Sequence, residues 1–385
     1  MTEQQTKSIP AGYMRMCCPC HFGLESVLKF ELVRLGAADI AASDGRVCFS
    51  GDWTMLAAAN LELTVADRVL IELGSFSVKA QRGKTAFDPL FDGVAKLPLE
   101  QFIGKDDAFP VKGSSLNSAL HSVPACQAIV KKAAVKRLQT AYHTASLPET
   151  GAVHQLQFQI RNDACTLYLD TSGIPLHKRG WRQTSVLAPI RETLAAGILD
   201  ISHVRQNTQL CDPFCGSGTF LIEGAQRAMH IAPGLHRRFA AERWDAMPKS
   251  AWYDAREAAR AKIRRDVEFH ATGYDLDPAA VALTMENAKK AGVAEKITVM
   301  QGDIKDFQYT QGQTIVCNPP YGERLLDVEA ARALYQTMGK VFPADAPISV
   351  ISPDATFEQC FGRKADKRRK LYNGMLQCSL YQYWK

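Results

Sequence analysis

Three features of the chain predict an α/β fold whose C-terminal half is built on a largely parallel sheet. Short apolar runs recur at 209–211, 267–274, 297–301, 314–317 and 348–352, separated by segments with helical spacing. Four of these runs lead into Asp212, Asp275, Asp303 and Asn318, which are polar groups at the carboxyl ends where doubly wound sheets hold ligands. A last pair of runs, Lys367 to Tyr372 and Leu376 to Tyr383, flanks Asn373-Gly374, a strong hairpin signal that predicts an antiparallel finish.

The 385 residues are many for one domain and comfortable for two or three. With 46% hydrophobic and 22% charged residues, the composition is that of an ordinary soluble globular protein. No apolar run approaches the roughly 20 residues that span a bilayer. Met1 to Pro10 is polar and lacks the apolar core of a signal peptide, so a cytoplasmic protein without a membrane partner is expected. The formal charge of +6 permits a polyanionic partner without requiring one. The 11 cysteines form no regular framework. Cys17-Cys-Pro-Cys-His21 invites a metal reading, yet no second CxxC or HxxxH completes a tetrahedral set, so reduced thiols and no metal are expected.

Residues 1–75 read as a first small α/β unit. Tyr13 to Cys18 is strand-like, and Gly23 to Leu35 has helical spacing that Gly36 stops. Asp44-Gly45 turns into the strand Arg46 to Ser50, followed by a helix over Trp53 to Asn60 and a strand over Val65 to Phe76. Residues 76–172 form a second unit. Asp88 to Lys96 is helical, and Ala108 to Lys112 is a short strand entering a polar turn at Gly113-Ser-Ser115. Pro124 to Ala141 is a strong helix with Ile129, Ala133 and Leu138 on one side and Lys131, Lys132, Lys136 and Arg137 on the other. That basic face is either simply solvated or a phosphate-contacting surface, and the pattern alone favours neither. Gln155 to Ile160 and Cys165 to Asp170 close the unit as a strand pair around Asn162-Asp163.

Residues 173–385 form the third unit. Its first stretch, Pro175 to Arg182, is basic, with Lys178, Arg179 and Arg182 around Trp181, and reads on its own as a surface linker. Ala188 to Leu199 is a helix with Pro189 in its first turn and Glu192 at the positive end of its dipole. His230 to Arg265 looks like an insertion. Its Trp244 and Trp252 read as packing residues, and Ala251 to Arg265 as a basic helix. Helices over Pro278 to Ala291 and Val328 to Lys340 alternate with the apolar runs.

The chemistry concentrates in two stretches. In Asp212-Pro213-Phe214-Cys215-Gly216-Ser217-Gly218-Thr219 an apolar strand gives way to a tight turn and a helix start, which lets a ligand approach the backbone closely. In the second, a strand meets Asn318-Pro319-Pro320-Tyr321. An aromatic exocyclic amine is a poor nucleophile because its lone pair is delocalised. Accepting hydrogen bonds from both N–H groups, with the Asn318 side-chain oxygen and the Pro319 carbonyl, favours a pyramidal nitrogen. The prolines stiffen the turn, and Tyr321 offers a face for stacking a base that has left its helix.

Together these stretches resemble the class I S-adenosylmethionine-dependent methyltransferases that modify amino groups, and the resemblance implies their Rossmann-like sheet. It also implies that Asp212 and the turn through Thr219 surround the methionine part of the cofactor. Asp275, with Leu276 and Asp277 beside it, takes the ribose hydroxyls, and Asp303 with Ile304 the adenine. A carboxylate in the place of Asp275 serves nicotinamide dinucleotides as well, so the loop alone does not name the cofactor. Each of these aspartates also has a plain reading as a turn or N-cap residue.

Phe109 to Pro124, followed by Gln127 to Lys132, is similar to the core of a THUMP domain, and Met16 to Gly36 to the ferredoxin-like domain that usually precedes one. That resemblance implies RNA contact by Lys112, Lys131, Lys132, Lys136 and Arg137, and RNA or cofactor contact by Lys178, Arg179 and Arg182. The two resemblances cover the chain from about residue 13 onward. They match the THUMP-containing guanine-N2 methyltransferases of large-subunit ribosomal RNA, the RlmL/YpsC type, often labelled DNA adenine methylases. Some members carry a second methyltransferase domain, for which 385 residues leave no room. Other readings are a tRNA guanine target, adenine N6 of DNA, a non-catalytic ribosome-assembly factor and, weakest, a nicotinamide dehydrogenase.

Overall fold

The computed structural model describes residues 12–79, 85–182, 189–321 and 327–384. The polar start, Ala188 and the Gly322-Glu323-Arg324 end of the second stretch lie outside the described residues. The front of the chain contains β1 (Met14–Pro19), α1 (Glu25–Leu35), β2 (Ala38–Ser43), β3 (Arg46–Gly51), α2 (Trp53–Glu62) and β4 (Leu70–Ser77). It continues with α3 (Asp88–Ala95), β5 (Val111–Leu116), α4 (Val123–Ala141), β6 (Leu156–Arg161) and β7 (Ala164–Asp170).

These strands make one seven-stranded sheet in the order β2-β3-β1-β4-β7-β6-β5. The join is β4, which pairs with β1 at Met16↔Ile71 and with β7 from Leu70↔Asp170 onward. The two front units therefore share a ladder, and residues 75 and 76 both fall inside β4. Gly113-Ser-Ser115 is strand rather than turn, because β5 runs parallel to β6 and Gly113 faces Phe158. A Cβ at Gly113 would lie 2.4 Å from the Phe158 ring, so the polar triplet is where an aromatic side chain crosses the backbone. β2 has no counterpart in the sequence reading. Its residues are mostly exposed at the sheet edge and carry no apolar alternation.

The back of the chain comprises α5 (Glu192–Ile201), β8 (Gln209–Asp212), α6 (Thr219–Ala228), α7 (Lys249–Ala261), β9 (His270–Asp275) and α8 (Pro278–Lys290). Then come β10 (Ile297–Gln301), β11 (Gln313–Cys317), α9 (Val328–Val341), β12 (Ile348–Ser352), α10 (Phe357–Phe361), β13 (Lys367–Asn373) and β14 (Leu376–Tyr383). The second sheet has the order β10-β9-β8-β11-β12-β14-β13. Its first five strands are parallel, and β14 and β13 are antiparallel. After β8 the chain adds strands on one side and then, from β11, on the other. The crevice between the ends of β8 and β11 is thus the topological switch point.

Three local details depart from the sequence reading. Pro189 precedes α5, whose first turn begins at Glu192. The basic helix of the insertion ends at Ala261. Asn373 pairs with Leu376, which makes Gly374 and Met375 the two turn residues, with Gly374 at φ 68°. The insertion does pack, and against the front sheet. Trp244 stacks on His154 at 4.6 Å, and its indole N–H donates to the Val153 carbonyl at 3.1 Å. Trp252 stacks on Phe239 at 5.1 Å. One buried core accordingly runs from Leu24 and Leu61 in the front into Leu194, Phe220 and Trp252 in the back. Among the described residues, no helix is long and apolar enough to cross a membrane.

Candidate active site

The switch point opens into a cavity of about 770 Å³. Its floor is the turn after β8, which neighbours hold at several points. Gly216 donates its backbone N–H to Asp275 Oδ2 at 2.8 Å, so the end of β9 clamps the end of β8. From α8, Thr284 donates its hydroxyl to the Gly216 carbonyl at 2.8 Å, and Asn287 its amide to the Ser217 carbonyl at 3.1 Å. Gly218, at φ 81°, is the residue α8 presses against. A Cβ there would meet Thr284 Cγ2 at 2.6 Å.

Asp212 lies at the centre, only 2% exposed. One carboxylate oxygen accepts the Phe214 backbone N–H at 3.1 Å. Burial pushes its carboxyl up to about 8, against the pull of the Phe214 N–H and with the Asp275 charge adding to the rise. A carboxylate kept dry beside a second carboxylate is one whose ionised form awaits a cationic ligand. Asp275 accepts from Gly216 and, through its other oxygen, from the Asp277 backbone at 3.0 Å. A carboxylate offers about four lone-pair positions, so each oxygen keeps room for a ligand hydroxyl.

Asp277 caps α8 by accepting from Ala279 at 2.8 Å, and Asp303 caps the next turn by accepting from Lys305 at 3.0 Å. The plain N-cap role and a place in the cavity wall thus coexist in both residues. Leu276, 67% exposed, stands at the rim, and Ile304 is buried. Pro213, Phe214, Ser217 and Thr219 complete the cofactor-side set, and Asn318, Pro319, Pro320 and Tyr321 close the far wall. Every residue read as cofactor-binding or catalytic lines the cavity except Gly218, which supports it from behind.

Two side-chain oxygens at the site, Asn318 Oδ1 and Ser217 Oγ, are buried with no partner among the described residues. A buried unpaired acceptor costs about 1–3 kcal/mol, a cost that a ligand's N–H removes. Tyr321 is buried, and its hydroxyl accepts a hydrogen bond from Asn373 Nδ2 at 3.0 Å. The sequence reading missed this contact. It also missed the wall formed by Ala330 and Leu334 of α9, whose only sequence signal was amphipathic helix spacing.

The basic residues divide into two groups. Lys112, Lys132, Lys136 and Lys178 are exposed. Lys131 pairs with Glu149 at 2.6 Å and lies over the Phe109 ring, and Arg137 grips Glu100 with its Nε at 2.8 Å. Arg182 donates to the Thr219 hydroxyl and lies 3.5 Å from Glu192, steadying the start of α6. Arg179, read as an RNA or cofactor contact, is buried. It spends its donors on Glu223 at 3.0 Å, the Thr64 carbonyl at 2.6 Å and the Leu176 carbonyl at 2.9 Å, which makes it an internal staple.

A five-strand parallel core with an antiparallel β14–β13 edge, and a carboxylate-lined turn facing an Asn-Pro-Pro-Tyr wall, define a Rossmann-like class I methyltransferase. The chain belongs to the RMKL-like methyltransferase family. Residues 179–382 match the RMKL-like methyltransferase domain, residues 15–70 the RlmL ferredoxin-like domain and residues 84–170 the THUMP domain. It is 38% identical to the Bacillus subtilis protein named RNA methyltransferase YpsC, over 94% of each chain. It is 32% identical to the ribosomal RNA large subunit methyltransferase K/L of Psychromonas ingrahamii, covering 95% of this chain but 49% of that protein. Its fold is similar to that of SMU.472, a methyltransferase solved as a complex with SAH, with a TM-score of 0.90 and 37% identity over 97% of this chain and 98% of that one. The cofactor is therefore S-adenosylmethionine, and the dry Asp212, the close-approach turn and the unpartnered Ser217 hydroxyl fit such a cationic, hydroxyl-rich group.

Proposed function

We propose that the protein transfers a methyl group from S-adenosylmethionine to the exocyclic N2 amine of a guanine in large-subunit (23S) ribosomal RNA, in the cytoplasm. The observation that carries this reading is the buried, unpartnered Asn318 Oδ1 beside Tyr321 at the switch point. The cofactor supplies an electrophilic methyl on a sulfonium, so the protein's task is placement. Asn318 Oδ1 and the Pro319 carbonyl accept the two amine N–H groups and hold the nitrogen lone pair free for the methyl. Tyr321 supports the ring, fixed by the hydrogen bond from Asn373. Asp212, Asp275 and Asp303 hold the cofactor's cationic, ribose and adenine ends. Lys112, Lys132, Lys136 and Lys178 are the exposed cations of the RNA reading, and Lys131, Arg137 and Arg182 reach RNA only at the rim of their ion pairs.

RNA as the substrate is supported by the THUMP match and by the names of the two relatives. The test is purified protein with methyl-labelled S-adenosylmethionine and three separate acceptors: 23S rRNA lacking modifications, tRNA and unmethylated duplex DNA. Labelled N2-methylguanosine from rRNA alone is expected. N2-methylguanosine from tRNA would move the target, and N6-methyladenine from DNA would overturn the RNA reading. Label in none of them, with the cofactor bound, would point to a pre-ribosomal particle or to a non-catalytic binding protein.

A further inference from the structure

The β13–β14 hairpin reaches the catalytic turn. Asn373, the last residue of β13, donates to the Tyr321 hydroxyl at 3.0 Å. Met375 follows two residues later, and two residues of chain span at most about 7 Å. The hairpin tip is therefore held close to Tyr321, which lines the cavity. Met375 is 99% exposed, the most exposed large apolar side chain among the described residues, two residues from the Asn373 contact with the Asn-Pro-Pro-Tyr turn.

The surroundings are those of a nucleic-acid contact rather than of a protein interface. Tyr372 carries Lys370 over its ring at 5.4 Å, and Lys370 is exposed. Phe22, in the turn between β1 and α1 and 44% exposed, meets Tyr372 edge-on at 6.0 Å. The hairpin is latched to that front loop, since Arg369 donates to the Gly23 carbonyl at 3.1 Å. Aromatic faces beside a free cation suit bases on a phosphate backbone. A long, unbranched, apolar side chain at the tip suits a gap in a base stack.

We propose that Met375 is the wedge that enters the RNA stack as the target base leaves it for the cavity, with Phe22 and Tyr372 as faces for a neighbouring base. This rests on the reading of the protein as an RNA base methyltransferase. A base held in the cavity leaves a hole in its stack, and a side chain that fills it lowers the cost of extrusion. Asn373 ties the wedge to Tyr321, so the group that fills the stack and the group that receives the base move together.

The experiment compares wild type, Met375→Ala, Met375→Leu and Phe22→Ala on unmodified 23S rRNA, measuring kcat, KM and the Kd for S-adenosylmethionine. Met375 is an exposed turn residue, so its variants fold. For Met375→Ala, kcat is expected to fall about ten-fold, the low part of the range for one lost base-stacking contact, with KM and cofactor affinity unchanged. Met375→Leu restores the rate, and Phe22→Ala shows a smaller fall. Wild-type rates for Met375→Ala, or a loss confined to KM, would overturn the wedge while leaving the proposed function standing. A wild-type protein that binds the cofactor and methylates no rRNA would instead sink the proposed function, and the wedge with it.

Discussion

Arg179 and Glu223 form a buried ion pair at 3.0 Å, each 4% exposed, that joins the chain leaving the front sheet to the helix under the cofactor turn. The same guanidinium donates to the Thr64 carbonyl, so one side chain holds front, connection and back together. Removing one partner of such a pair strands a buried charge at a cost of roughly 3–5 kcal/mol. Arg179→Ala is therefore expected to lower the urea midpoint sharply. RNA affinity of the protein that remains folded should change little, the opposite of what a surface contact would give.

Asn318→Ala separates function from stability. The Asn318 carbonyl oxygen is buried and unpartnered, so its removal should leave stability unchanged or raised by up to about 1 kcal/mol. Loss of an acceptor that acts on the reacting amine is expected to lower kcat about a hundred-fold or more. Calorimetry should show cofactor binding intact.

Asp212 makes the cofactor-free protein less stable as pH rises. Its carboxyl is pushed up to about 8 by burial, against about 3.9 in an unfolded chain. Between those values the folded state holds a proton that the unfolded state has released. This stabilisation is complete below about pH 3.9 and is lost as pH climbs through about 8. Unfolding free energies from urea titrations at pH 5 and pH 8 should differ in that direction, by on the order of a few kcal/mol. Asp212→Asn, neutral throughout, should flatten that slope.

The exposed pair Lys132 and Lys136 on α4 should contribute charge and no sequence preference. The double alanine variant is expected to weaken RNA binding uniformly and to reduce the slope of log K against log salt by about 2. Alanine at Lys131 or Arg137 should act more through stability, because those cations already hold Glu149 and Glu100.

Trp244→Ala removes the stack on His154 and the hydrogen bond to Val153. The expected cost is about 3–5 kcal/mol. Because the contact lies between front and back, a single unfolding transition in calorimetry should broaden or split. Cofactor binding should survive at low temperature.

The sequence reading found the second sheet and the cavity because their signals are local. Asp212, Asp275, Asp303 and Asn318 each follow an apolar run, and the glycines of the turn sit beside them in the chain. It did not find contacts made across long separations. Nothing near Arg179 announces Glu223, 44 residues on, so an arginine in a basic run read as a surface cation. The Asn373 contact spans 52 residues and joins a hairpin to a turn that carry no common pattern. β2 escaped because an edge strand with mostly exposed residues has no apolar alternation to reveal it. Gly113-Ser-Ser115 misled because polar small residues suit both a turn and a strand crossed by a ring.

The ladder through β4 has a mechanical consequence. Neither half of the front sheet can swivel against the other without tearing backbone hydrogen bonds on both sides of that strand. With Arg179 and Trp244 fastening the sheet to the back, the gap between α4 and Asn318 has a set span. Under the RNA reading proposed above, a fold gripped at α4 would be offered to Asn318 at a fixed distance. On the function proposed above, the protein would work as a caliper, selecting its nucleotide by how far it lies from the place that is held.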